Sequence, residues 1–151
     1  MRAINHSLTG AVIGLTVADP LIAAPLAFVS HYFMDAIPHS SFSFRKDGSV
    51  DRLFIFQIIL DAVLCLILVA VLIIDRPIHW VTAIVCAFLA AAPDFFSANF
   101  FYKTLKHKPY KPSLYFRFAS KIQWFEKPIG LVVETVWLFC FIFCLSIFLQ
   151  R

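Results

Sequence analysis

Residues 1–39 read MRAINHSLTGAVIGLTVADPLIAAPLAFVSHYFMDAIPH, and the fold turns on how this stretch is broken. Two apolar runs, residues 8–18 and 21–37, are separated by Asp19 and Pro20. Such a pair starts helices, because the carboxylate accepts from orphan N–H groups of the first turn and Pro fits that turn without loss. The reading is therefore a helical hairpin of two shortish helices with Asp19 as a cap. The alternative is one long helix kinked at Pro20. Hydrophobicity continues past the break to Ile37, which is not the pattern of a cleaved signal peptide.

Working outward, residues 53–74, 78–101 and 129–149 each supply the roughly 20 apolar residues that a membrane crossing needs. The chain is 61% hydrophobic, with 18 Phe, and its mean hydropathy is +0.84. A soluble domain of this length cannot keep that composition off its surface, so the solvent is lipid. The expected fold is all-α: a single polytopic membrane helical bundle over 1–151, built from the N-terminal hairpin plus three transmembrane helices. Cys65, Cys86, Cys140 and Cys144 lie in apolar stretches without CxxC spacing and read as small packing residues.

The net charge of +4 does not point to nucleic acid, because the basic residues flank apolar segments. With a hairpin at the start, one side of the membrane collects Arg2, Arg45, Lys46, Arg52, Lys103, Lys106, Lys108, Lys111, Arg117, Lys121 and Lys127. Arg76 and Arg151 fall on the other. The asymmetry places the N-terminus and the basic loops in the cytoplasm. Within the 102–128 loop, Leu114, Phe118, Ile122 and Phe125 recur at helical spacing beside Arg117 and Lys121, with Tyr115 and Trp124 adding interfacial aromatics. That pattern suits an amphipathic helix lying on anionic headgroups, and equally an ordinary membrane-edge connector.

On this topology the polar residues of the apolar segments gather at one depth. Asp35, Asp61, Asp94 and Glu134 stand in stretches that hold no lysine or arginine, and His6, His31 and His39 lie at or near the same segments. Asp61 is about two turns into its helix, roughly 12 Å at 1.5 Å per residue. A charge at membrane depth is costly and marks a functional site with a partner, and the partner absent from the sequence is a cation. His31 and Asp35, four apart, share a helix face and can grip one ion, while Pro38 ends that helix and turns His39 back. His6, Gly10 and Gly14 share another face that permits close backbone approach. Pro93 is placed to kink the helix beside Asp94.

His6, His31, Asp35, His39 and Asp94 are thus the candidate metal ligands. Glu134 and Asp61 are the candidate general bases, with structural hydrogen bonding as the competing role for both. Mixed His and carboxylate ligands suit a divalent metal, zinc first, with iron or manganese as alternatives. Carboxylates beyond the ligand set are what metal-assisted hydrolysis needs. The depth of the site makes an amphiphilic ester or phosphoester, a lipid or lipid-linked metabolite, the expected substrate. Two other classes compete: an ion or proton pathway built on the same acids, and a non-catalytic scaffold in which the metal staples the hairpin. Asp47, Asp51, His79 and His107 read as solvated or interfacial.

At His6 ahead of Gly10, Ser30-His31 with Asp35, Pro38-His39 and Pro93-Asp94, the chain resembles the YdjM-type family of small bacterial membrane proteins, described as metal-dependent hydrolases. The stretch from Gln123-Trp124 to Glu134 is similar to a C-terminal pattern in small relatives. The family's Pro-Asp-x-Asp-His signature is reduced here to Pro93-Asp94, followed by Phe95-Phe96. The resemblance implies a helical protein of the bacterial inner membrane with a metal site and hydrolase activity.

Overall fold

The structure, a computed structural model, describes residues 1–40, 52–106, 108–109, 111–125 and 127–149. Arg45, Lys46, Asp47, Asp51, His107 and Arg151 lie outside the described residues. Among the described residues there are seven helices and no strand: α1 Ala3–Thr16, α2 Pro20–Ala36, α3 Arg52–Asp75, α4 Trp80–Phe95, α5 Ala98–Leu105, α6 Leu114–Ile122 and α7 Gly130–Leu149.

The break after α1 is the one the Asp-Pro pair predicts. Asp19 accepts from Leu21 N at 2.9 Å, and Pro20 opens α2. The two helices are separate and pack on each other, so the single kinked helix is not what forms.

α1 is the hub, with α2, α3, α4 and α7 all packed on it. Residues 4–11 are buried without interruption, so this helix has no solvent face over two turns. Gly10 and Gly14 explain how α4 comes so close. A side chain at Gly10 would run into the Cys86 carbonyl and Ala90, and one at Gly14 into the backbone of Thr82 and Ala83. Polar residues on α1 find partners on its neighbours: Asn5 Nδ2 donates to Glu134 O at 3.1 Å, and Trp137 Nε1 donates to Thr9 Oγ1 at 2.9 Å.

Two helices, α3 and α7, are long and apolar enough to cross a membrane, with hydropathies of 3.0 and 2.4 over their most apolar windows. Only 17% and 11% of those windows are buried, which is not how a soluble protein treats its core helices. Ile59, Val63 and Ile67 on α3 and Val136, Phe139 and Phe143 on α7 face outward.

The third expected span falls short. Residues 78–101 do not form one helix; α4 ends at Phe95 and α5 starts at Ala98. Pro93 supplies the reason, since it lacks the N–H that would bond Leu89 O and so weakens the last turn. The turn between α3 and α4 holds Arg76 and His79 at φ 49° and 67°, conformations that non-glycine residues rarely adopt.

Candidate metal centre

α1 and α2 run antiparallel, so the start of α1 meets the end of α2. There the rings of His6 and His31 stack, 4.1 Å between centroids and 23° from parallel. Both turn Nε2 towards Asp35: His6 to Oδ1 at 3.2 Å and His31 to Oδ2 at 3.2 Å. Asp94, brought in by the end of α4, lies 3.8 Å from His31 Nε2 through Oδ1. Candidate ligand atoms of His6, His31 and Asp94 all fall within 4.8 Å of one another, and this group could hold a metal ion. A tetrahedral ion with bonds of about 2.0 Å holds its ligand atoms roughly 3.3 Å apart, so the closure required is small.

The protonation pattern favours a cation here. His31 Nδ1 lies 2.8 Å from Ala90 O, and a carbonyl accepts only, so the proton is on Nδ1. The Nε2 lone pair then faces Asp35 and Asp94, an arrangement that needs a proton or a metal between them. His6 is fully buried, and its Nδ1 has no hydrogen-bond partner. Asp35 is anchored by Gln123, whose Nε2 donates to Oδ2 at 2.9 Å, and by the Met1 amino group on Oδ1 at 2.5 Å. One ammonium against two carboxylates leaves the cluster short of positive charge when both histidines are neutral. The donor set and the orphaned ring nitrogen both fit a divalent ion.

Asp61 and Glu134 form a second cluster one turn away, around the first residues of α1. Arg2 donates to Asp61 Oδ1 from Nε at 2.9 Å and from Nη2 at 2.6 Å. Ala3 N donates to Asp61 Oδ2 at 3.2 Å, and Arg2 N to Glu134 Oε1 at 3.0 Å. Ser40 Oγ completes the set, donating to Glu134 Oε2 at 2.7 Å. The two acids therefore cap the N-terminus of α1, satisfying N–H groups that a helix leaves unpaired. The expectation that no basic residue neutralises these acids fails at Asp61, because Arg2 folds inward onto it.

His39 is buried with this second group. Its Nδ1 is 2.8 Å from Ile37 O, and its backbone pairs with Phe125 O and Lys127 N at 3.4 and 3.1 Å. Gly130 is needed there, since a Cβ would strike the His39 backbone. The residues missed from the sequence are Arg2, Gln123 and Tyr115. Arg2 is the extended residue just before α1, so helical spacing does not register where its side chain goes. Tyr115 donates to Pro93 O at 2.9 Å and ties α6 to the end of α4. Burial, and then Tyr32, push its phenol above the ordinary range, which keeps it a donor.

A cavity of about 1440 Å³ opens between α3 and α4 and reaches the start of α1. Arg2, Ser40, Gln57, Asp61, Asp94 and Gln123 line one end of it, and the remainder is mainly apolar. Asp94, with 43% of its side chain exposed, stands between the histidines and this space. No family model, no curated protein and no solved structure matches the chain.

Proposed function

We propose that this chain is a multi-pass protein of the bacterial inner membrane that holds a divalent metal and hydrolyses an ester or phosphoester of an amphiphile at the cytoplasmic leaflet. The observation that carries the proposal is the convergence of His6 and His31 on Asp94, which itself lines the polar end of a largely apolar cavity. The helix lengths agree with it. At 1.5 Å per residue α3 and α7 reach about 36 and 30 Å, enough for a hydrocarbon core of about 30 Å. α1, α2 and α4 reach only about 21, 25 and 24 Å. A helix that enters from the far side and stops at Phe95 leaves Asp94 inside the membrane rather than at its surface. Lys103, Lys106, Lys108, Lys111, Arg117, Lys121 and Lys127 all follow that end, which supports a cytoplasmic site.

In this proposal His6, His31 and Asp94 hold the ion, zinc being favoured by the mixed nitrogen and oxygen donors. When bound, a divalent ion polarises the ester or phosphoester oxygen and acidifies water. The chain's own groups supply the rest. Ala90 O fixes the His31 ring, and stacking on His31 fixes His6. Asp35, held by Gln123 and the Met1 amino group, orients both histidine rings through their Nε2 atoms. The resemblance to the YdjM-type family rests on the same His6, His31, Asp35 and Asp94 and supports the same reading.

The test is metal content by mass spectrometry of the detergent-purified chain, with His31→Ala and Asp94→Asn alongside. Near-stoichiometric zinc, iron or manganese in wild type, lost from both variants, is the expected result. A wild-type chain that stays empty after metal is added back sinks the proposal, and the acids then read as proton carriers or packing groups.

A further inference from the structure

The cavity that ends at Asp94 has a shape that metal-assisted hydrolysis does not by itself require. α3 and α4 are consecutive, antiparallel and joined by the short turn 76–79, yet they touch only sparingly. The space between them forms a long arm, lined by Ile58, Leu66 and Val69 from α3 and by Ile84, Val85 and Phe88 from α4. From Gln57 to Val69 it follows twelve helical steps, about 18 Å. Every side chain named along the arm is apolar, and Leu66 and Phe88 remain 69% and 61% exposed, so its flank is open sideways. The polar groups Arg2, Gln57, Asp61 and Asp94 gather at one end only.

We infer that this arm is a lateral binding site for the hydrocarbon chain of a membrane lipid, drawn in from the bilayer with its ester or phosphoester group at Asp94. The inference rests on the proposed hydrolase and names its substrate class. Two features select a lipid as the occupant. The cavity ends at Asp94, one of the three candidate ligands, and its polarity changes once along its length, as an amphiphile's does. Arg2 and Gln57 bring N–H donors to the end where phosphate or ester oxygens would lie. Lipid tails are as apolar as leucine, so a chain moving from the bilayer into the arm gains little by burial. Selection therefore falls to the polar end, and the chain exchanges readily with bulk lipid.

The experiment uses the full chain in vesicles of phosphatidylethanolamine and phosphatidylglycerol, doped with phosphatidylglycerol that carries a diazirine near the end of one acyl chain. After illumination, adducts are mapped by mass spectrometry, and metal content is measured on the same preparation. Adducts several-fold richer on Val69 and Val85, both less exposed, than on Ile67 and Val81 are expected. Those two reference residues are 52% and 55% exposed on the same helices but lie outside the cavity, so exposure alone cannot produce the contrast. Leu66→Trp and Val85→Trp, which fill the arm, should lose the excess while Ile67 labels as before. Equal labelling of both sets, with metal fully bound, overturns the chain site and leaves the metal centre standing. Concentrated labelling of a chain that takes up no metal upholds the chain site and overturns the hydrolase reading.

Discussion

Asp61 joins two parts of the chain that are far apart in sequence: its two oxygens hold the Arg2 guanidinium and the Ala3 N–H, so α3 grips the first turn of α1. Neutralising it leaves Arg2, only 24% exposed, without its charge partner. Asp61→Asn keeps one acceptor and should lower stability by about 2 kcal/mol, within the range for weakening a partly buried charged pair. Metal content should not change. Asp94→Asn should behave in the opposite way, with metal lost and thermal unfolding close to wild type, because among the described residues the Asp94 side chain reaches another helix only at His31. Thermal unfolding and metal analysis of the two variants separate the roles. An Asp61→Asn chain that unfolds like wild type yet loses its metal returns this acid to the metal centre. The sequence shows why this division was hard to read. All four acids sit in apolar helices at one depth, and only the position of Arg2 in space sorts Asp61 from Asp94. His31 and Asp35 were legible because a spacing of four fixes their relation within one helix. His6 was legible through its place on the glycine face.

At the scale of elements, the seam between α1 and α4 sets the geometry of the metal centre, since it fixes how far Asp94 stands from His6. The seam depends on Gly10, which lies against the Cys86 carbonyl and Ala90. A methyl group there must push the helices apart, and overpacking of this kind costs about 2 kcal/mol. Gly10→Ala should therefore lower both thermal stability and metal occupancy, because Asp94 retreats with α4. A chain with Gly10→Ala that keeps full metal would show that α4 does not position the ligands. Helix existence was largely legible from apolar runs and the Asp-Pro signal. Helix length was not. The run of 78–101 is apolar enough for one span, but Pro93 and the turn at Phe96 and Ser97 stop α4 early, and hydropathy alone does not register a missing N–H.

The whole molecule divides its surface in a way that bears on orientation. Large apolar side chains cover the outer faces of α2, α3, α4 and α7, from Leu21 and Phe33 to Phe139 and Phe143. For a chain of this size so wide an apolar belt has no stable contact with water, and lipid is the solvent that matches it. The charge lies elsewhere. All lysines of the sequence fall between the hairpin and α3 or between α4 and α7, in the two loops assigned to one side. α6 sits in the second loop, with Leu114 and Phe118 exposed beside Arg117 and Lys121, a pattern shared by a helix resting on headgroups and by a membrane-edge connector. An amine reagent that cannot cross membranes therefore reads the topology without any substitution. Applied to sealed vesicles with the cytoplasmic face outward, it should modify Lys103, Lys106, Lys108 and Lys111. Applied to vesicles of the opposite orientation, it should leave them unmodified until the membrane is opened with detergent. Modification of these lysines only from the other face would reverse the protein in the membrane and move the metal centre to the outer leaflet. Modification from both faces alike would mean that the chain inserts in both orientations, and the cytoplasmic placement of the metal centre would fall.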